Sequence, residues 1–300
     1  MMIEVDNIWK RYGRFDALQG LSFAVPQGSA FALIGANGAG KSTTIKCLMN
    51  IISPSRGSAT ILGVDSRKIS PRELAQIGYV SENQKMPGRM TVAGYLDYLR
   101  GFYPSWDRQL EAEILNQFLL PPDRRIKDLS HGMRMKMALA CALSFRPRLL
   151  VLDEPFSGLD PLVRDEFMEG LLSRAGETTI LISSHELSEI EGVATHIAFL
   201  DRGTLLFQES MADLMERLRE VHVALDREAK VPDQAPEEWL DIRAAGSVLR
   251  FVDTAYCEDR LAAKVIAAFG SVRGIEARPM GLRAILTTLA RATRNGSALS

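Results

Sequence analysis

The apolar positions of the chain fall into a few short, uninterrupted runs. Residues 31–34 (FALI), 149–152 (LLVL) and 179–182 (TILI) consist almost wholly of apolar side chains. Because successive side chains of a strand point to opposite faces, a run without alternation is typical of a strand that is buried on both faces. These runs therefore predict a parallel core sheet, with residues 197–200 (IAFL) as its last strand.

The N-terminal segments have a different pattern. Residues 2–12 (MIEVDNIWKRY) and 20–26 (GLSFAVP) are rich in β-forming residues and alternate in part. This favours antiparallel strands with one face in water, hence an antiparallel N-terminal β subdomain.

Helical patterns follow at residues 41–51 and 131–145, and residues 85–128 mix aromatic and helical segments with loops. We interpret residues 85–145 as a helical subdomain inserted into an α/β domain that spans residues 1–210.

After about residue 210 the chain shows a new set of strand and helix patterns around a polar segment. Residues 227–239 (REAKVPDQAPEEW) are polar and contain two prolines, as in a loop or linker. Strand patterns at 221–225, 248–252 and 272–277 and helical patterns at 258–269 and 282–293 surround them. We expect residues 215–300 to form a small α+β accessory domain.

Composition narrows the function classes. The 300 residues carry a net charge of -1, so no basic field favours a nucleic-acid partner. The three scattered cysteines, Cys47, Cys141 and Cys257, are expected to be reduced core thiols. No N-terminal secretory signal is recognisable, and no run approaches the roughly 18 apolar residues of a spanning helix. Any membrane-crossing part is therefore expected to belong to a partner.

Residues 35–42 (GANGAGKS) fit the phosphate-binding pattern GxxxxGK[ST]. Glycines let such a loop turn tightly and point its N–H groups at phosphate oxygens, in front of a helix N-terminus. Lys41 can reach the β- and γ-phosphates, and Ser42 can bind Mg²⁺. A chance Gly-rich turn is the alternative, which the preceding strand and the following helix disfavour. The nucleotide-binding candidates here are Gly35, Asn37, Gly38, Ala39, Gly40, Lys41, Ser42 and Thr43.

Two acidic residues follow the apolar run at 149–152. A carboxylate such as Asp153 at the end of a buried strand is costly unless it is paired or functional, so we expect it to hold Mg²⁺ opposite Ser42. Glu154 is then placed to polarise the attacking water as a general base. The alternative is a strand that simply reaches solvent at an acidic turn.

Ser130 precedes a predicted helix, and Gly132 lies in its first turn. The simplest role for Ser130 is an N-cap. A capped helix N-terminus is also an anion site, so both roles can hold together.

Four segments in one order carry a family resemblance: the phosphate loop, residues 129–133 (LSHGM), the Asp153-Glu154 pair and His185 after another apolar run. Over roughly residues 2–210 the chain resembles the ATP-binding cassette (ABC) subunit of a membrane transporter. The resemblance implies a P-loop NTPase fold, ATP and Mg²⁺ as ligands, and ATP hydrolysis.

The resemblance also implies roles for individual residues. LSHGM is similar to the cassette signature LSGGQ, which addresses the γ-phosphate held by another subunit. His131 and Met133 depart from that pattern, whereas Ser130 and Gly132 keep it. His185 matches the switch histidine that contacts the γ-phosphate, although a lone histidine is more often structural.

Three further segments match the family. Tyr12 lies where the family stacks an aromatic ring on adenine, and residues 157–160 (SGLD) match the loop that communicates across the dimer. Residues 77–82 align with a stretch that ends in a metal-contacting glutamine. Here Glu82 holds that position and Gln84 follows two residues later, so we assign Glu82 as a metal-site candidate.

The resemblance implies a homodimer, or a heterodimer with a paralogous cassette, that drives a separate transmembrane permease from the cytoplasmic face of the membrane. The C-terminal segment resembles the extensions of bacterial exporter subunits, which favours export. A soluble cassette ATPase, or an ATP-binding regulatory protein without useful turnover, is the alternative. The presence of both Glu154 and His185 argues against the second of these.

Overall fold

The computed structural model describes residues 1–172, 178–232 and 235–294. The chain divides into two compact units, Met1–Gln208 and Glu209–Ser300. The strands of the first unit are β1 (Ile3–Tyr12), β2 (Phe15–Val25), β3 (Ala30–Ile34), β4 (Arg56–Ile61), β5 (Val64–Asp65), β6 (Ile77–Ser81), β7 (Leu149–Asp153), β8 (Thr179–Ser184), β9 (His196–Asp201) and β10 (Thr204–Ser210), which ends just past the boundary. Its helices are α1 (Lys41–Leu48), α2 (Pro71–Leu74), α3 (Val92–Arg100), α4 (Arg108–Gln117), α5 (His131–Leu143) and α6 (Pro161–Leu172).

A six-stranded sheet in the order β10-β9-β3-β8-β7-β6 forms the centre of the first unit. β3 runs parallel to β9 and β8, and β7 runs parallel to β8 and β6. Every residue of β3, β7 and β8 is buried, as the uninterrupted apolar runs predicted. The predicted parallel core sheet is thus confirmed.

The parallel strands end level with one another. Ile34 pairs with Ser184, and Asp153 pairs with both Ser183 and Ser81. The loops that follow β3, β6, β7 and β8 therefore begin at the same edge of the sheet. In open α/β sheets this carboxyl edge is where ligands bind, so the topology brings the sequence candidates together.

The N-terminal strands form a separate sheet in the order β2-β1-β4-β5. β1 is antiparallel to both β2 and β4, as expected for this region. Apolar side chains of β1, β2, β3 and α1 share one core, which includes Ile3, Leu21, Phe31 and Ile45. This core fixes α1, and with it the phosphate loop, against the sheets.

Three capped helices occupy the expected helical insert. Side chains cap their N-termini: Thr91 caps α3, Asp107 caps α4 and Ser130 caps α5. From Met135 to Leu143, α5 is fully buried. The N-terminal turn of α5 is thereby held by its packed C-terminal part.

The second unit has its own sheet and core. Its elements are α7 (Met211–Arg217), β11 (Arg219–Leu225), β12 (Trp239–Ala245), β13 (Val248–Asp253), α8 (Glu258–Phe269), β14 (Val272–Pro279) and α9 (Leu282–Arg294). The strands pair antiparallel in the order β12-β13-β11-β14. Trp239 stacks on Phe251 and Phe269, with ring centroids 4.2 Å and 5.7 Å apart, inside a core that α8 covers with Leu261 and Val265.

Residues 227–239, of which 233 and 234 lie outside the described residues, connect β11 to β12 within the second unit, so of the two interpretations, loop or linker, they are a loop. Trp239, the last of them, is buried because it begins β12. Cys257 is only partly buried and not a core thiol, since it lies at the N-terminus of α8, whereas Cys47 and Cys141 are buried as expected. None of the helices in the described residues has the length and apolar character to span a membrane.

Candidate nucleotide-binding site

The phosphate loop connects β3 to α1, and its glycines are required by backbone shape and by packing. Gly38 and Gly40 have φ values of 82° and 110°, in the left-handed region that favours glycine. A Cβ at Gly40 would lie 2.7 Å from Leu18 Cδ2, and one at Gly35 would lie 2.4 Å from the Leu200 carbonyl oxygen. No side chain caps the N-terminus of α1. Its first N–H groups are therefore available to an anion.

Lys41 is almost fully buried, with 4% of its surface exposed. Its ammonium group donates to the Gly35 carbonyl at 2.6 Å and to the Ala36 carbonyl at 3.3 Å. The same nitrogen lies 3.0 Å from Glu154 Oε1. The buried charge is thus neutralised by the carboxylate that follows β7.

Asp153 ends β7 and is also buried. Its Oδ1 accepts hydrogen bonds from Ser42 Oγ at 2.9 Å and from Ser183 Oγ at 2.8 Å. Burial raises the pKa of the Asp153 carboxyl, and the two serine hydroxyls oppose that shift. Ser183 was missed by the sequence reasoning, although it is the polar residue of β8 that pairs with Asp153 in the sheet.

Glu154 has an unusual backbone conformation, with φ at 50°. Its N–H donates to Ser183 Oγ at 2.9 Å, and its Oε2 lies 2.7 Å from His185 Nδ1. That hydrogen bond raises the pKa of His185, with burial opposing it. The two oxygens of one carboxylate are therefore divided between Lys41 and His185.

Lys41, Ser42 and Glu154 border a cavity of about 260 Å³ at the carboxyl edge of the sheet. The cavity is lined by Tyr12, Phe15, Ala17, Asn37, Gly38, Gly40, Lys41, Ser42, Thr43, Glu82 and Glu154. Tyr12 is 47% exposed and Phe15 is 62% exposed. Lys10 Nζ lies 5.2 Å from the centre of the Tyr12 ring. Phe15 and Ala17 were not predicted, because they belong to β2, whose sequence carries no nucleotide-binding motif.

The structure puts Glu82, and not Gln84, at this cavity. The Glu82 N–H donates to the Asp153 carbonyl at 2.9 Å, and Glu82 Oε1 accepts from Ser157 Oγ at 2.6 Å. Gln84 instead accepts from the Ser81 N–H with its side-chain oxygen at 3.3 Å. Of the two residues, Glu82 is therefore the one that lines the cavity, and its role as a metal ligand stays a prediction.

Ser130 and Gly132 lie elsewhere, at the start of α5. Ser130 Oγ accepts from the Met133 N–H at 3.2 Å, so it caps the helix. A Cβ at Gly132 would lie 2.8 Å from Val163 Cγ1. Among the described residues, neither of the two lines the cavity of this chain. Gly132 thus has a packing role in addition to any ligand role.

The comparison with known proteins assigns the family. Residues 18–157 match the ABC transporter family. The chain is 33% identical over 259 residues to a phosphonates import ATP-binding protein, PhnC 2, of a Synechococcus species, covering 79% of this chain and 96% of that protein. It is 29% identical to the ABC transporter ATP-binding protein YtrB of Bacillus subtilis, covering 78% and 84%. It is 32% identical to the bacitracin transport ATP-binding protein BcrA of Enterococcus faecalis, covering 73% and 72%.

Solved structures agree with these relatives. An ATP-binding subunit of an ABC transporter superposes with a TM-score of 0.65 at 28% identity, over 72% of this chain and 92% of that one. The cassette MJ0796, described as a dimer in a post-hydrolysis state with ADP and Pi, has the same fold, with a TM-score of 0.61 at 22% identity over 70% and 99%. The chain therefore belongs to the ABC transporter family of ATPases, as an ATP-binding subunit.

Proposed function

We propose that this subunit hydrolyses ATP in the cavity beside the phosphate loop and thereby drives a separate membrane exporter. The observation that carries the proposal is the position of the Glu154 carboxylate, which contacts both Lys41 and His185. Glu154 directly follows Asp153, which is hydrogen-bonded to Ser42. This arrangement combines a phosphate-binding cation, a general base and a metal-binding pair at one edge of the sheet.

The phosphate loop and Lys41 would bind the phosphates. The uncapped N-terminus of α1 offers N–H donors, and Lys41 offers a buried positive charge. In the structure Lys41 is paired with Glu154. A phosphate that takes Lys41 as its partner would release Glu154 Oε1, so substrate binding itself would free the base.

Ser42 and Asp153 fit a magnesium ion. Both present oxygen atoms, the ligand type that Mg²⁺ prefers, and the two oxygens are already within 2.9 Å of each other. When bound, Mg²⁺ would neutralise charge on the phosphate oxygens. Ser183 Oγ donates to the same Oδ1 of Asp153 and would orient the carboxylate. Glu82 reaches the same cavity and is proposed as a further oxygen donor.

Glu154 would activate the attacking water, and His185 would orient the Glu154 carboxylate. A carboxylate within hydrogen-bonding reach of water can accept its proton during attack on phosphorus. His185 holds one oxygen of Glu154 at 2.7 Å and thus orients the carboxylate. With Lys41 engaged by phosphate, the other oxygen would be open to water.

The exposed rings of Tyr12 and Phe15 line the same cavity as the phosphate loop. A purine can stack on such rings, so we assign Tyr12 as the adenine platform and Phe15 as its neighbour.

Ser130 and Gly132 support function as a dimer. They begin a helix whose N-terminus can bind an anion, but they do not line the cavity described for this chain. A second cassette, identical or paralogous, would bring its own nucleotide to them. The dimeric form described for MJ0796, which shares the fold, supports this proposal.

The direction of transport rests on the relatives. The name of BcrA states transport of bacitracin without a direction, whereas the name of PhnC 2 states import of phosphonates. We propose export, in line with the second unit that follows the cassette, and we propose that a permease recruits the chain to the cytoplasmic face of the membrane.

The test is reconstitution with candidate membrane permeases. Purified chain and permease in liposomes should show ATPase activity that cargo stimulates, and inside-out vesicles should accumulate cargo only with ATP. Uptake in the opposite direction would overturn export. If the preparation showed no ATP turnover under any of these conditions, the proposal that this subunit hydrolyses ATP would be overturned.

A further inference from the structure

Ser157 lies at a junction between three segments of the first unit. It belongs to the loop between β7 and α6, where its N–H donates to the Glu154 carbonyl at 3.3 Å. Its hydroxyl donates to Glu82 Oε1 at 2.6 Å, and its carbonyl oxygen lies 3.1 Å from His131 Nε2. One residue therefore contacts the proposed base, the loop after β6 and the first residue of α5.

The contact with His131 fixes the hydrogen position on the ring. A carbonyl oxygen can only accept, so His131 must carry its hydrogen on Nε2 to bond Ser157. The ring also lies over Gly158, where a Cβ would be 3.7 Å from Nε2. His131 reaches across from α5 to the loop and occupies the space next to this glycine.

Three groups hold Glu82. Its N–H donates to the Asp153 carbonyl, its Oε1 accepts from the Ser157 hydroxyl at 2.6 Å, and its Oε2 accepts from Asn83 Nδ2 at 3.4 Å. The bond from Ser157 is charge-assisted and is the shorter of the two bonds to the carboxylate, which makes it the stronger one. Because Glu82 is exposed and the contact with Asn83 is long, we expect the carboxylate to lose its position without Ser157.

We propose that Ser157 and His131 are positioning residues for ATP hydrolysis. Ser157 holds the Glu82 carboxylate at the nucleotide cavity, and His131 holds Ser157 by its carbonyl oxygen. Together they tie the start of α5, where Ser130 and Gly132 lie, to the loop that begins at Glu154. The inference rests on the proposed function, because positioning matters only if Glu82 and Glu154 act on bound nucleotide.

The position of these residues predicts which kinetic constant changes. Within the described residues, neither Ser157 nor His131 lines the nucleotide cavity, whereas Glu82 and Glu154 do. Loss of the positioning contacts should therefore lower kcat while leaving nucleotide affinity nearly unchanged. Outer contacts that orient the groups of a reactive site typically contribute about 10- to 100-fold to activity.

The test compares disruptive and conservative variants of the full chain. Ser157→Ala removes the hydroxyl, and Ser157→Thr keeps it. His131→Leu removes the ring donor, and His131→Gln keeps an N–H donor. Ser247→Ala, in the exposed turn between β12 and β13, and His222→Leu, on β11, are the matched controls. Steady-state ATP hydrolysis gives kcat and KM, and calorimetry with a non-hydrolysable ATP analogue gives Kd.

We expect Ser157→Ala and His131→Leu to lower kcat about tenfold, with KM and Kd within about threefold of the parent. Ser157→Thr and His131→Gln should restore most of the loss. Unchanged kcat in both disruptive variants would overturn the proposal. So would a loss that the conservative variants do not restore, because it would reflect general damage to the loop.

A double-mutant cycle tests whether Ser157 acts through Glu82. If it does, Glu82→Ala combined with Ser157→Ala should lower kcat no further than Glu82→Ala alone. Multiplicative losses would overturn this route. An inactive parent chain would instead contradict the proposed function, so the two failures are distinguishable.

Discussion

Lys41 and Glu154 form a buried ion pair, with the ammonium nitrogen 3.0 Å from Oε1 of the carboxylate. Lys41 begins α1 and Glu154 begins the loop after β7, and both side chains are largely withdrawn from water. A buried charge without a partner is costly, so each keeps the other in place until a ligand arrives. A bound phosphate would compete with Glu154 for Lys41. If it replaced Glu154 as the partner of Lys41, the carboxylate would become available as the base.

Replacing Glu154 by Gln should separate binding from hydrolysis. The amide keeps the size of the side chain but cannot accept a proton from water, so hydrolysis should fall by at least about 100-fold. ATP affinity should remain, and an ATP-dependent dimer should accumulate. Phosphate release, calorimetry and size-exclusion chromatography with ATP measure the three effects. A variant that keeps most of its turnover would exclude Glu154 as the base.

Replacing Lys41 by Ala should act on binding itself. The substitution removes the buried cation that faces the phosphates and leaves Glu154 without its partner. We expect ATP affinity to fall at least about tenfold by calorimetry, because charged hydrogen bonds contribute about 1.5–3 kcal/mol. Lys68→Ala is a suitable control, since Lys68 is exposed and is not among the described residues that line the cavity. An unchanged Kd for Lys41→Ala would contradict the phosphate-binding role.

The register of the loop after β6 can be tested with Glu82 and Gln84. Glu82→Gln keeps an oxygen that can accept from Ser157 and face a metal ion, so hydrolysis should stay within about tenfold of the parent. Gln84→Ala should have a smaller effect than Glu82→Ala, because Gln84 is directed to the Ser81 N–H. ATPase rates in the reverse order would show that Gln84 is the functional residue.

His185 gives the nucleotide-free protein a pH dependence of known sign. Its hydrogen bond to Glu154 raises its pKa, so the folded state binds the proton more tightly than the unfolded state. The stabilising contribution is complete below the unfolded value of about 6.5 and is lost as pH rises through the higher folded value. Urea unfolding should show the parent's advantage over His185→Gln shrinking as pH rises above about 6.5.

The matched control for this experiment is Glu154→Gln, which removes the partner that raises the pKa. Its stability curve should lack the same pH-dependent component. A difference between the parent and His185→Gln that stays constant as pH rises through about 6.5 would show that folding does not raise the pKa of His185.

Much of the site could be predicted because its residues belong to short motifs with a chemical reason for each position. Gly40, Lys41 and Ser42 are adjacent in sequence. The uninterrupted apolar runs predict where β3 and β7 end, and the motifs lie at those strand ends. Parallel strands then bring Lys41 and Glu154 together without further information. The remaining residues of the site come together through tertiary packing, which the motifs do not show.

Phe15, Ser183 and the Ser157–Glu82 bond could not be predicted in this way. Phe15 reaches the cavity only because β2 pairs with β1 beside the phosphate loop. Ser183 matters because the sheet register puts it level with Asp153. Such pairings depend on contacts between distant segments, and no local pattern encodes them.

Composition left residues 227–239 open between a loop and a linker. The structure has a loop, which ends in Trp239, and this residue stacks on Phe251 and Phe269 in the core of the second unit. Prolines mark a break in regular structure and do not distinguish a loop inside a domain from a connection between domains.

The same packing makes the second unit a candidate for independent removal. Its sheet, β12-β13-β11-β14, is complete within residues 209–300, and its core is formed by side chains of β11, β12, β13 and α8. The proposed phosphate, metal and base residues all belong to the first unit, Met1–Gln208. We therefore expect the second unit to tune dimerisation or coupling to the permease without taking part in the chemistry.

A chain ending at Ser210 keeps β10 and with it all six strands of the central sheet. It should unfold cooperatively and bind an ATP analogue with a Kd within about threefold of the full chain, because the removed residues form their own core. Self-association by analytical ultracentrifugation, or permease-stimulated turnover, should change. The full chain with Trp239→Ala is the matched control: losing a core aromatic should destabilise the second unit by about 3–5 kcal/mol and leave ATP affinity unchanged. If the shortened chain fails to fold or to bind nucleotide, residues 211–300 complete the cassette and the boundary is wrong.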